Sequence, residues 1–261
     1  MIDLPIKTSS ATISLFGDVV KKSYPIEQSL RCQSECNKLA RIRLIGRIKN
    51  EFSSPKILYC GKSFYEMELV RGSHLSLAVE WLDPSIVGSK ILSILDSLRF
   101  HRHSGGDTWD FMMKKLSIAG VNDSLLKSCQ SMDLPCGFSH GDLTFDNILV
   151  SPCGRFNLID PVYNDAETPL WDAGKILQTT LIGWKMGSIS IRSDAMINVH
   201  GFVIDGLLER FKPRHVCLGL ACQLARVSRW ACTDFMMEKC LTYMDLVLNG
   251  NDKDCIVALR G

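Results

Sequence analysis

Short apolar runs alternate with polar residues through the first part of the chain. Residues 11–24 predict two strands, because β-branched and apolar residues flank a turn at Gly17-Asp18. Residues 27–45 predict a helix, since apolar side chains recur there every three or four positions. Two further strand-like runs follow at residues 57–61 and 64–70.

From residue 75 onward the periodicity is mostly helical. Residues 139–160 interrupt it, because two short apolar runs flank a Pro-Cys-Gly turn, which predicts a loop followed by a hairpin. The chain therefore predicts an α+β fold with a small strand-rich N-terminal lobe, residues 1–71, and a larger, mostly helical C-terminal lobe, residues 72–261. Helices are predicted at residues 75–82, 89–101, 171–185, 195–211, 214–231 and 233–248.

Composition narrows the class of protein. The chain has 261 residues, of which 46% are apolar, and 30 basic residues nearly balance 28 acidic ones. A long disordered chain is excluded, and no nucleic-acid partner is expected from a net charge of +2. Residues 1–8 contain no apolar run, and the longest uncharged apolar stretch, residues 216–225, is shorter than the ~20 residues that span a bilayer. We therefore expect a soluble, cytoplasmic protein.

Cysteine usage supports the same compartment. The eleven cysteines are odd in number and scattered, without a C-x-x-C pair. A zinc site would need four closely spaced ligands. We expect these cysteines to be reduced and to pack as small hydrophobic residues.

The sequence His140-Gly-Asp-Leu-Thr-Phe-Asp-Asn147, followed by Leu-Ile-Asp160, carries the clearest chemistry. Asp142, Asn147 and Asp160 are the acceptor side chains that phosphoryl transfer requires. One carboxylate orients the attacking hydroxyl and accepts its proton, while an amide and a second carboxylate hold Mg²⁺ against the nucleotide phosphates. The hairpin should bring Asp160 back beside Asn147. The alternative is a turn rich in aspartate that caps helices.

This motif resembles the catalytic and metal loops of the protein-kinase-like superfamily. The H-G-D form is similar to that of the aminoglycoside phosphotransferase and choline kinase branch. The resemblance implies a bilobal kinase-like fold that uses ATP and Mg²⁺. It also implies that Asp142 is the catalytic base, that Asn147 and Asp160 bind the metal, and that His140 supports the loop.

The N-terminal strands extend the resemblance. Val19-Val20-Lys21-Lys22 resembles the strand whose lysine holds the α- and β-phosphates, and Glu35 resembles its ion-pair partner on the next helix. Successive strand residues point to opposite faces, so only one lysine faces the nucleotide. Lys21 is favoured because it directly follows the two valines. Surface positions are the alternatives for both lysines and for Glu35.

Two more segments match the superfamily. Glu68, Leu69 and Val70 resemble the linker between lobes, where backbone groups bind adenine. Asp172 resembles an aspartate that opens a helix beneath the catalytic loop, with a plain helix N-cap as the alternative.

The chain also departs from protein kinases. Asp160 is followed by Pro161 instead of Phe-Gly, and the segment before the first strands lacks a glycine-rich loop. Thr144 stands where Ser/Thr protein kinases usually have lysine. No activation segment is recognisable.

The sequence indicates less about which residues bind the acceptor. Arg226 and Arg229 are three residues apart, so they share a helix face and could bind an anionic group of the acceptor. A solvated basic face is the alternative. Asp165, shortly after the metal-binding aspartate, could shape the same site or lie in a solvated loop.

These features predict an ATP-dependent phosphotransferase that moves the γ-phosphoryl group to a hydroxyl of a small molecule. The I-D-P and W-D-A-G-K-I-L-Q segments resemble kinase-like proteins of bacterial surface-glycan synthesis, which implies a sugar or glycan precursor as the acceptor. One alternative is an atypical protein kinase or ATPase with a protein partner, because H-G-D-L-T also resembles the kinase subunit of the KEOPS complex. The other is a pseudokinase that only binds nucleotide.

Overall fold

The computed structural model describes residues 11–99, 108–118, 121, 132–162, 168–185, 188–189, 192–227 and 233–261. The described chain divides into two compact units. The first unit comprises residues 11–75 and 147–162, and the second unit comprises the other described residues.

A four-stranded antiparallel sheet forms the body of the first unit. Its strand order is β1-β2-β4-β3. Gly17, with a φ of 61°, makes the predicted turn between the first two strands, because a side chain would disfavour that conformation. The strands are β1 (Thr12–Phe16), β2 (Val19–Ser23), β3 (Ile57–Cys60) and β4 (Phe64–Glu68).

One long helix, α1 (Ser29–Lys49), packs against this sheet. It follows a single 3-10 turn at Ile26–Gln28 and ends where Asn50 adopts a left-handed conformation with a φ of 55°. The core between α1 and the sheet consists of Ala11, Tyr24, Cys32, Cys36, Leu39 and Tyr65.

A second, smaller sheet completes the first unit. Its strands are β5 (Ser73–His74), β6 (Ile148–Val150) and β7 (Phe156–Leu158), in the order β5-β6-β7. The backbone of Ser53 accepts from Leu158 and donates to the carbonyl of Phe156. The predicted hairpin of residues 148–158 is therefore hydrogen-bonded into the first unit.

The rest of the described chain is mainly helical. Every residue of the helix at positions 169–180 is buried. The helices are α2 (Leu75–Ala78), α3 (Pro84–Arg99), α4 (Thr108–Ile118), α5 (Pro169–Thr180), α6 (Asp194–Arg210), α7 (Pro213–Val227), α8 (Thr233–Leu248) and α9 (Asp252–Arg260). A two-stranded ribbon is formed by β8 (Trp184–Lys185) and β9 (Ser188–Ile189).

Helices α5 and α7 meet at two glycines. A Cβ atom on Gly174 would lie 2.3 Å from the carbonyl oxygen of Gly219, and one on Gly219 would lie 2.5 Å from that of Leu170. Only glycine permits this approach of two backbones. The contact brings together the two helices that carry Lys175 and Arg226.

Several predicted boundaries differ from the structure. The helix predicted at residues 75–82 is a single turn, and α3 begins earlier than predicted, at Pro84, a residue suited to the first helical turn. Two helices, α4 and α9, were not predicted. The second of these carries a capping box between Asn251 and Asp254.

Most described cysteines are buried, as expected for small hydrophobic residues. All those described are free thiols. The described helices include none that is both long enough and apolar enough to cross a membrane. The buried cysteines are Cys32, Cys36, Cys217, Cys222, Cys240 and Cys255.

Candidate active site

A buried ion pair connects β2 to α1 in the first unit. The ammonium group of Lys22, 5% exposed, lies 3.0 Å from the carboxylate of Glu35, which is fully buried. Arg31 Nε donates to the same carboxylate at 2.9 Å, and the Tyr24 hydroxyl also donates to it. Burial alone would lower the pKa of Lys22, but Asp160 and the other acidic neighbours raise it above its usual range. The lysine is therefore charged.

The sequence favoured Lys21 as the lysine that faces the nucleotide and pairs with Glu35, but this pairing is wrong, because Glu35 pairs with Lys22. Lys22 pairs in register with Tyr65, whose side chain is buried in the core beneath α1. Lys21 points to the opposite face, where its ammonium lies 4.0 Å from Glu66 and 4.0 Å from the ring centre of Phe64. The correction follows from strand alternation, because Lys22 and Tyr24, which directly follows β2, are two positions apart and both contact Glu35.

Asp160 joins this cluster from the end of β7. Its carboxylate forms an ion pair with Lys22. Ile159 donates its backbone N–H to the carbonyl of Asn147 at 3.0 Å, so the hairpin brings Asp160 back beside Asn147 as predicted. Asp160 has a φ of 53°, unusual for a residue with a side chain. Backbone strain of this kind is often found at functional sites.

The donor set suits Mg²⁺. The Asp160 side chain is 32% exposed, and its carboxylate and the Asn147 amide supply the oxygen ligands that this ion prefers. In the described part of the chain no three His, Cys, Asp or Glu side chains converge as a metal site. An ion bound by Asp160 and Asn147 would complete its coordination with phosphate oxygens and water.

The predicted adenine linker follows β4. The N–H of Glu68 donates to the carbonyl of Lys56 at 3.0 Å, and the N–H of Leu69 donates to the carbonyl of Asp18 at 2.8 Å. These two donors are already used within the protein. Adenine recognition here would have to use other backbone groups of the linker, such as those of Val70.

Helix α5 fixes the backbone of the H-G-D loop in the second unit. The Asp172 carboxylate accepts from the N–H groups of His140 and Gly141 at 2.5 and 2.9 Å. Trp171 Nε1 donates to the carbonyl of Gly141 at 2.9 Å, and Gly141 has a φ of 89°. The N-cap alternative for Asp172 is wrong, because Thr168 caps the helix.

Asp142 lies between two cations. Its Oδ1 is 2.8 Å from Lys175 Nζ and 3.4 Å from Arg226 Nη2. Burial by itself would raise the pKa of Asp142, but these two cations hold it well below its usual range. The Asp142 side chain is 21% exposed, so it is accessible to a substrate as an ionised carboxylate.

Lys175 was missed by sequence reasoning as a site residue. A signal was present, because Lys175 and Asp172 are the only charged residues in the sequence of positions 169–180. Arg226, predicted as an acceptor contact, lies at Asp142. Asp165 and Arg229 lie outside the described residues.

Comparison with solved structures identifies the fold. A choline/ethanolamine kinase family protein from Mesorhizobium loti matches with a TM-score of 0.59 and 14% identity, over 98% of this chain and 91% of that chain. An ethanolamine kinase from Plasmodium vivax matches with a TM-score of 0.56 and 12% identity, over 92% of this chain and 83% of that chain. The ADP-bound aminoglycoside phosphotransferase APH(2'')-Ib matches with a TM-score of 0.57 and 12% identity, over 95% of this chain and 91% of that chain.

The fold and these likenesses define the protein as one with the protein-kinase-like α+β fold, as predicted. Its structure is similar to those of choline kinases and aminoglycoside phosphotransferases, so the resemblance inferred from the sequence is confirmed for the fold. No protein-family model and no curated protein matches the sequence.

Proposed function

We propose that the protein is an ATP-dependent phosphotransferase that moves the γ-phosphoryl group to a hydroxyl of a small molecule. The observation that supports this most strongly is the cluster of Lys22, Glu35 and Asp160. These residues come from β2, α1 and the end of β7, and they are the lysine, glutamate and aspartate that kinases use to handle nucleotide phosphates.

Each group of the first unit then has a role with the nucleotide. Lys22 binds the phosphates, and Glu35 keeps its ammonium in place. Asn147 and Asp160 would hold Mg²⁺, which neutralises phosphate charge when it is bound. Backbone groups of the linker at residues 68–70 other than the N–H groups of Glu68 and Leu69, such as those of Val70, bind adenine. We expect the reaction to take place in the cytoplasm, where ATP is available.

Asp142 orients the acceptor. The acceptor oxygen forms a bond to the γ-phosphorus as the bond to the bridging oxygen breaks, and ADP leaves with that electron pair. The hydroxyl proton passes to Asp142 and from there to solvent. Because Lys175 and Arg226 keep the pKa of Asp142 low, the proton moves late, after the new bond has largely formed.

The charge beside Asp142 indicates the class of acceptor. Arg226 is 34% exposed at 3.4 Å from Asp142, so it can contact an acceptor whose hydroxyl is held there. A cationic acceptor would be repelled by this guanidinium, whereas a neutral or anionic one would not. We therefore propose a sugar or glycan precursor, with any phosphate or carboxylate group bound by Arg226.

A panel of acceptors sorted by charge tests this proposal. ADP formation with MgATP is measured with neutral sugars, sugar acids and sugar phosphates, with choline and aminoglycosides, and with protein acceptors. We expect stimulation by the sugar classes, and we expect Arg226→Gln to raise the KM of an anionic acceptor without changing that of ATP. Stimulation only by cationic acceptors or by proteins would contradict the acceptor class. Nucleotide binding without turnover would favour a pseudokinase.

A further inference from the structure

Lys175 is buried beside the proposed base. Its side chain is only 2% exposed, and its ammonium lies 2.8 Å from Asp142 Oδ1. A lysine is rarely buried so deeply unless it is paired. Burial lowers the pKa of Lys175, and the carboxylate of Asp142 opposes that effect. Lys175 and Asp142 therefore stabilise each other's charged forms.

The position of Lys175 on α5 links the cation to the loop. Asp172, three residues earlier, holds the backbone of the H-G-D loop, and residues three apart lie on the same helix face. One face of α5 thus fixes the loop and also supplies a cation to its carboxylate. The loop itself, residues 140–147, contains no lysine or arginine.

Resting on the proposed function, we propose that Lys175 is a positioning residue for phosphoryl transfer, which keeps Asp142 ionised and fixes the rotation of its carboxylate toward the acceptor hydroxyl. Lys175 and Arg226 both contact Oδ1, so the two cations define one orientation of the group. Lys175 differs from Arg226 in exposure, with 2% against 34%. The buried lysine holds the carboxylate, and the more exposed arginine is left to face the acceptor.

The charged groups around Asp142 decide what removing Lys175 would do. Lys175 faces it from α5, Arg226 from α7, and His140 from its own loop, while Asp172 acts on Lys175. Without Lys175, the guanidinium at 3.4 Å, together with the smaller effect of His140, would have to offset the burial of the carboxylate. The folded-state pKa of Asp142 would then rise, and activity would be lost as the pH falls through the raised value.

The test uses Lys175→Met, with Lys175→Gln as a second variant that keeps a hydrogen-bond donor but removes the charge. We expect kcat to fall by about 10²-fold in both, as for the loss of one preorganised electrostatic group. We also expect the acid limb of the kcat profile to move to higher pH. Lys175→Arg should restore the wild-type profile in part. Arg210→Met, which breaks the Asp96–Arg210 ion pair at 2.8 Å in the same unit, should lower Tm without moving the profile.

A titration of the Asp142 carboxyl carbon by NMR separates this inference from the proposed function. In the protein without nucleotide, the signal of Asp142, assigned with Asp142→Asn, should titrate at higher pH in Lys175→Gln than in the wild type. This result would support the inference even if no acceptor is phosphorylated. An unchanged Asp142 titration, or an unchanged pH profile of kcat in both variants, would overturn it.

Discussion

Replacing Lys22 and Lys21 by methionine, one at a time, tests which face of β2 binds the nucleotide. Lys22 lies against Glu35 with both side chains buried, at 5% and 0% exposure. Lys21 lies 4.0 Å from Glu66, and both of those side chains are about a third exposed, at 32% and 34%. The two substitutions remove the same charge from adjacent positions but from opposite environments.

The expected costs in the free energy of unfolding differ accordingly. Removing one partner of a buried pair costs ~3–5 kcal/mol. Arg31 remains 2.9 Å from Glu35, so we expect Lys22→Met to fall near the lower end, about 3 kcal/mol. An exposed pair contributes about 0–1 kcal/mol, so Lys21→Met should cost about 1 kcal/mol at most.

Nucleotide affinity provides the second measurement. Isothermal titration with MgATP should show a Kd about 10- to 100-fold higher for Lys22→Met, because a charge-assisted hydrogen bond to phosphate contributes ~1.5–3 kcal/mol. Lys21→Met serves as the matched control and should leave the Kd almost unchanged. Urea unfolding of both variants supplies the stabilities for the same samples.

Two results would refute this reasoning. Small and equal effects of the two substitutions would mean that β2 does not supply the phosphate-binding lysine. A large loss of stability in Lys22→Met, with the Kd of MgATP unchanged, would assign the Lys22–Glu35 pair to folding alone.

Three further predictions concern the metal, pH and packing. Asp160→Ala should abolish the Mg²⁺-dependent part of ATP binding in titrations with and without the metal, and binding that keeps its Mg²⁺ dependence would contradict the assignment. Burial lowers the pKa of His200 to about 4, so its contribution to stability is complete above pH 6.5 and is lost toward pH 4. This contribution to the free energy of unfolding is about 3 kcal/mol. His200→Gln should therefore flatten the dependence of Tm on pH in that range. An unchanged slope would show that His200 does not cause the pH dependence. Gly174→Ala should destabilise the protein by ~1–3 kcal/mol in urea unfolding. Gly201→Ala, the control, should not, because a Cβ there meets nothing within 4 Å. Equal effects of the two substitutions would contradict the close contact of α5 and α7.

Local signals were sufficient for much of the fold. The turn at Gly17 and the alternation around it predicted the first hairpin, and the Pro-Cys-Gly turn predicted the second. The motif from His140 to Asn147 indicated the superfamily, and the fold agrees. These features depend on residues near one another in sequence, where turn chemistry and periodicity act directly.

The face of β2 could not be decided locally. Val19, Val20, Lys21 and Lys22 form two pairs and do not alternate, so the strand pattern is compatible with either phase. The choice depends on Tyr65, which lies more than forty residues away in sequence and fixes the inward face across the sheet. Tertiary packing therefore determined which lysine meets Glu35.

The surroundings of Asp142 illustrate the same limit. Lys175 and Arg226 reach it from helices that follow it by 33 and 84 residues. Their convergence depends on the contact between Gly174 and Gly219, which no periodicity reveals. The isolated lysine in the nearly uncharged segment 169–180 was a usable signal, but its partner was not predictable from spacing.

The most direct test of the central claim measures both products of one reaction. The protein is incubated with MgATP and a stimulating sugar-class acceptor, and ADP and phosphorylated acceptor are quantified together by mass spectrometry. The account predicts equal amounts of both products from the wild type, and a loss of about 10²–10⁴-fold in Asp142→Asn, with MgATP affinity retained. The exposed control Asp234→Asn should behave as the wild type. ADP without a phosphorylated acceptor, or transfer by Asp142→Asn at the wild-type rate, would contradict the account.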